Sequence, residues 1–146
     1  MNKILVPLDN FSEISLNAAR YAVEFARRSD SKPIFLFLSR NDGVKSDCFV
    51  TDASQETEKE KKTREKIERL IDCSILEGIN IEQCECCGEY IEKVCEFVRK
   101  LNISEIVIAV PDKKDEHYQK IKKNISLLLK MTSCRILTVK EKDKEI

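Results

Sequence analysis

At 146 residues the chain has room for one domain, with 42% apolar residues to fill a single core and 36% charged residues to cover it. Its 26 Lys and Arg offset 26 Asp and Glu, so no summed field draws it to nucleic acid or to an anionic membrane. Seven cysteines behind an N-terminus without a signal-peptide apolar core indicate reduced thiols in a cytoplasmic protein, with no structural disulfide. The longest apolar run near the start of the chain, Pro33 to Leu38, falls far short of the ~18 residues of a membrane span.

Ile4 to Leu8 is a continuous apolar run closed by Asp9-Asn10, which reads as a strand buried on both faces, the habit of parallel sheets. From Ser12 the apolar residues keep helical spacing through Ala26, and Ser12, Glu13 and Ser15 offer N-cap chemistry. Ser29 to Pro33 breaks that helix, and Ile34 to Leu38 is a second buried strand. Ser39 to Ser54 is rich in turn formers and reads as a loop whose large apolar pair is Phe49 and Val50. Gln55 to Glu77 predicts a helix: its charged first turns, EKEKKTREK, project into solvent with pairs such as Glu58 and Lys62, and Ile67, Leu70, Ile71, Ser74 and Ile75 then line one face.

The alternation continues with a strand over Ile79 to Cys87, an amphipathic helix over Glu89 to Lys100, a strand over Glu105 to Val110, a helix over Asp115 to Met131 and a strand over Cys134 to Val139. Strands alternating with helices of this length predict an α/β domain over 1–140, an open five-stranded, mainly parallel sheet with helices on both faces, followed by a charged tail at 141–146. Ligands of such sheets sit at the carboxyl ends of the strands where strand order reverses, which singles out Asp9, Ser39 and Ala109 to Asp112.

Other constellations carry less chemistry. In Cys84-x-Cys86-Cys87 two thiols share one face of a strand and the third takes the other, with no second pair or nearby His to complete a zinc site. These cysteines read as small buried hydrophobes, with a thiol redox sensor as the alternative. His117 reads as a surface residue, and no acid, base and nucleophile set emerges, so neither a metal nor catalysis is expected.

The segment ILVPLDNFSEISLNAARYAVEFARR resembles the first strand, acidic turn and first helix of the universal stress protein family. Gly88-Glu89-Tyr90-Ile91 and EIVIAV resemble the family's third-strand exit and fourth strand, and SCRILTV its last strand, usually Cys-Pro-Val-Leu-Val-Val. The likeness spans 2–140 apart from 40–66. It implies a Rossmann-like fold of the adenine nucleotide alpha hydrolase kind, built on strand order reversal.

The family's ATP-binding members carry Gly-x2-Gly-x9-Gly-(Ser/Thr) from the fourth strand into the last helix. Counting back from Cys134, those positions fall on Ala109, Asp112, Lys122 and Lys123, none of which matches. A carboxylate at a phosphate position repels a triphosphate by roughly 4 kcal/mol at ~4 Å and an effective dielectric near 20. Pro111 also removes one N–H. Asp9, followed by Asn10, matches the acidic residue that contacts ribose or metal-phosphate in the family, but with the glycines missing an Asx turn or a cap on the first helix is the favoured role. The resemblance thus implies a degenerate nucleotide site at Asp9, Asn10, Ala109, Asp112, Lys122 and Lys123, without a cofactor.

The expected function is a non-catalytic homodimeric scaffold or regulator acting on a further protein partner, with no nucleic acid and no membrane. Alternatives are an ATP-, ADP- or AMP-responsive switch and the thiol sensor. A last strand at the sheet border would pair with its two-fold copy through Arg135, Ile136, Leu137, Thr138 and Val139, and Leu137→Pro is expected to release a folded monomer; a central last strand would make the same residues ordinary core.

Overall fold

A computed structural model of the chain describes residues 1–39 and 57–140. The expected loop beyond Ser39, the first two residues of the charged helix and the tail at 141–146 lie outside the described residues. The elements are β1 (Asn2–Leu8), α1 (Glu13–Arg28), β2 (Ser31–Ser39), α2 (Glu58–Leu76), β3 (Glu82–Cys87), α3 (Tyr90–Leu101), β4 (Glu105–Val110), α4 (Tyr118–Met131) and β5 (Arg135–Lys140). The strands form one sheet in the order β3-β2-β1-β4-β5, and every pairing is parallel. This is the expected Rossmann-like α/β architecture, with strand order reversing between β1 and β4.

Alternate side chains of each strand feed two cores, one on each face. Ile4, Val6, Phe35 and Val107 pack against Ala18, Ala22, Ile67 and Ile71 of α1 and α2. Leu5, Leu36 and Ile106 pack on the opposite face against Val94 of α3 and Leu128 of α4. β5 is an edge strand, so the reading that made it central does not hold.

Element boundaries differ from the sequence reading for local reasons. The break after α1 is Ser29 and Asp30, the Ser29 N–H and hydroxyl both donating to the Phe25 carbonyl, and β2 already runs from Ser31 through Pro33. Pairing with β3 starts only at Ile34 opposite Glu82, so Pro33 sits before that ladder begins. α2 starts after a capping box in which Thr57 and Glu60 bond each other's backbone N–H. Its second turn does not project: Thr63 is buried, its hydroxyl donating to the Lys59 carbonyl, and Arg64 pairs with Glu68 at 3.3 Å. β3 starts three residues late because Gly78 and Ile79 close α2, donating to the carbonyls of Ile75 and Ser74.

Candidate functional site

The carboxyl ends of β1 and β4 frame the crevice expected at the strand-order reversal. β1 pairs with β2 along its whole length, but with β4 only at Ile4 opposite Glu105 and Leu5 opposite Ile106. The two central strands therefore part toward their carboxyl ends, which opens the sheet where ligands of this fold bind.

On the β1 side, Asp9 is half-buried and its carboxylate accepts the Asn10 side-chain N–H at 3.1 Å. Asp9 does not cap α1. That role falls to Ser12, whose hydroxyl accepts the Ser15 N–H, while the Ser15 hydroxyl lies 3.2 Å from both the carbonyl and the side-chain oxygen of Asn10. Phe11 stacks on Phe37 of β2, ring centroids 6.2 Å apart. Tyr90, the first residue of α3, packs half-buried against the α3–α4 core. Burial, and secondly the Asp9 carboxylate, push its phenol well above the ordinary tyrosine range, which places Tyr90 and Asp9 in one electrostatic environment. Ser39 contributes its carbonyl to the Gly88 N–H.

On the β4 side, Ala109 is half-buried, Pro111 buried and Asp112 exposed. The loop that would face a phosphate is closed by the chain's own oxygens. The Asp112 carboxylate accepts the Lys113 N–H at 2.8 Å, and the Asp115 carboxylate accepts the His117 N–H at the same distance. The Asp112 and Asp115 carbonyls take the N–H groups of Asp115 and Tyr118. These turns delay α4 to Tyr118, where His117 is an N-cap with no side-chain bond. Lys122 and Lys123 stand beyond the first turn of α4, exposed, with the Lys122 ammonium 6.0 Å from the Tyr118 ring centroid. The structure thus places Asp9 and Asn10 just past the end of β1, Ala109 and Asp112 at and just past the end of the neighbouring β4, and both lysines exposed on α4.

The thiols lie elsewhere. Cys84 and Cys86 share the α3 side of β3, and Cys95 and Cys134 are buried in the same core. Burial is the first cause raising all four thiols above the ordinary range. Cys87 is disulfide-bonded, which corrects the expectation that the chain has no disulfide. Among the described residues no group of three or more His, Cys, Asp and Glu could hold a metal ion. Among them, too, no helix is long and apolar enough to cross a membrane.

Sequence reasoning did not single out Tyr90, whose phenol feels burial and then the Asp9 carboxylate, or Asp115, whose carboxylate accepts a backbone N–H of the β4–α4 loop. Asp115 carried a signal, since Asp shortly before an apolar-periodic segment is a helix-start residue. Tyr90 carried none, because only strand order brings the start of α3 near the end of β1.

An open, doubly wound parallel sheet whose strand order reverses between β1 and β4 defines the class as a Rossmann-like α/β fold. Residues 1–118 match the model of the universal stress protein family, and the chain belongs to that family. Its structure is similar to the universal stress protein UspA from Lactobacillus plantarum, with TM-score 0.68 and 16% identity over 94% of this chain and 97% of that one. It is also similar to the Archaeoglobus fulgidus universal stress protein in complex with dAMP, with TM-score 0.65 and 16% identity over 94% and 97% of the two chains. A universal stress protein family protein from Arabidopsis thaliana with AMP bound aligns at TM-score 0.59 and 15% identity, over 97% and 93%. No curated protein sequence matches the chain.

Proposed function

We propose that the chain is a non-catalytic, cytoplasmic universal stress protein that acts as a homodimeric regulator or scaffold and does not take ATP through a glycine loop. The observation that carries this reading is the closure of the β4–α4 loop by Asp112 and Asp115. Backbone N–H groups attract phosphate when they are free and a helix N-terminus adds positive partial charge; here carboxylates of the chain already accept from two of them and add repulsion. Dimerisation is supported by the edge position of β5 and by exposed Leu129 and Met131 on α4, which packs beside it. Titration calorimetry with ATP tests the first part. The unmodified protein is expected to give no micromolar binding, and Asp112→Gly with Asp115→Ala to raise affinity; tight ATP binding by the unmodified chain overturns the reading.

A second reading is an adenine-nucleotide switch. It is supported by the parted β1 and β4 ends beside half-buried Asp9, and by structural relatives with AMP or dAMP bound. AMP titrated in the same calorimeter separates it from the first. The thiol sensor is a third reading: it is supported by disulfide-bonded Cys87 and opposed by burial, which raises the thiols of Cys84 and Cys86.

A further inference from the structure

The amino end of the sheet holds a buried charge that the crevice does not use. Glu105 opens β4 directly opposite Arg135 of β5, and its residue surface is only 7% exposed. One carboxylate oxygen lies 2.7 Å from the Arg135 guanidinium, and the other is buried with no hydrogen-bond partner among the described residues. Arg135 is 64% exposed along its side chain, so an arginine on the border of the sheet reaches inward to neutralise a carboxylate in the strand behind it.

The backbone shows what this does to the border. The Arg135 N–H donates to the Ser104 carbonyl, and pairing continues in register to Lys140. In a parallel ladder one strand's bonding groups alternate in direction, so Arg135, Leu137 and Val139 direct theirs to β4 while Ile136 and Thr138 turn theirs outward. Leu137 and Val139 also share the α1 face, and Arg135 is the only charge on that side of β5. If two copies pair antiparallel through Ile136 and Thr138, the side chains of Arg135, Leu137 and Val139 meet their counterparts in the closer type of pair, with Cα atoms about 4.5 Å apart. Arg135 then faces an apolar residue of the second copy, and the two-fold axis repeats the contact.

We propose that the Glu105–Arg135 pair is a latch that keeps the β5 border fit for a second copy of this chain, by drawing its one guanidinium inward and neutralising it. Released, Arg135 lies over the border as an unpaired charge that dimerisation must desolvate against Leu137 or Val139. The inference rests on the homodimer reading, and the experiment keeps the two apart.

Sedimentation equilibrium over a wide concentration range on the full chain, Glu105→Leu, and Glu105→Leu/Arg135→Thr reads the dissociation constant of each. Circular dichroism checks that each is folded, and Glu105→Gln replaces the leucine variant if that one does not fold. Glu105→Leu is expected to dimerise about tenfold more weakly, the scale of one poorly desolvated charge. The double variant is expected to return to within about threefold of the unmodified chain, because it has no guanidinium left to release. A monomeric unmodified chain overturns the homodimer reading, and the latch with it. A dimeric unmodified chain whose single variant is equally tight, or whose double variant is no tighter than the single, overturns the latch alone.

Discussion

Glu105 and Glu82 are both paired carboxylates at the amino ends of strands, and their surroundings give them different energetic roles. Removing the partner of a buried charge costs more than removing the pair, because the remaining charge stays dehydrated. Arg135→Ala leaves both Glu105 oxygens without a partner and is expected to destabilise the fold by roughly 1–3 kcal/mol, read as a lower urea midpoint. Glu105→Leu, which also removes the orphaned oxygen, is expected to be neutral or stabilising in the same measurement. Glu82 is more open, 2.7 Å from the Lys32 ammonium, and the bond from Lys32 is the first cause holding its carboxyl below the usual range. A carboxyl lowered by folding stabilises the protein above its unfolded value, and that contribution is lost as pH falls through the folded one. Lys32→Met is therefore expected to cost at most about 1 kcal/mol at pH 7, a half-exposed pair being screened, and the difference should shrink toward zero as the medium is acidified below the carboxylate range. A difference that grows in acid would contradict the assignment.

Among the elements, the two ends of α2 show which local signals a sequence displays. Thr57-x-x-Glu60 is a capping box written in residue types, and the structure uses it as written. The far end depends on backbone conformation: Gly78 has φ +98 and, with Ile79, completes the paired bonds that close the helix. A side chain at Gly78 meets nothing within 4 Å, so Gly78→Ala isolates the cost of the left-handed conformation. Thermal unfolding is expected to show a loss of about 1 kcal/mol, and an unchanged midpoint would mean that the cap relaxes freely. The same dependence on conformation hid the start of β3, since Ile79 looks like a strand residue until the cap claims its N–H. It hid the late start of α4 as well, where Asp112 and Asp115 divert the backbone into turns before the helical pattern can begin.

For the whole molecule, the alternation of apolar runs was enough for a parallel sheet with two helical layers, because a strand buried on both faces is legible as a continuous run such as Ile4 to Leu8. The crevice was legible on its β1 and β4 sides, where Asp9 and Asp112 end strands, whereas Tyr90, whose phenol feels the Asp9 carboxylate, was not, because its place depends on chain crossings. The direction of the backbone groups along β5 was equally hidden, and it decides how the homodimer is tested. Proline at Leu137 removes an N–H directed at β4, so it breaks the ladder that holds β5 in the sheet and conflates unfolding with dissociation. Proline at Thr138 removes a donor directed outward, where proline is tolerated in edge strands and where only a second copy would use the bond. Thr138→Pro is thus expected to yield a folded species of half the mass in light scattering, with a urea midpoint close to that of the unmodified chain compared at dilutions where both are monomeric. Leu137→Pro is expected to lower that midpoint sharply at any concentration. A dimer that survives Thr138→Pro unchanged would place the contact on the helical faces around Leu129 and Met131 instead of on the strand border.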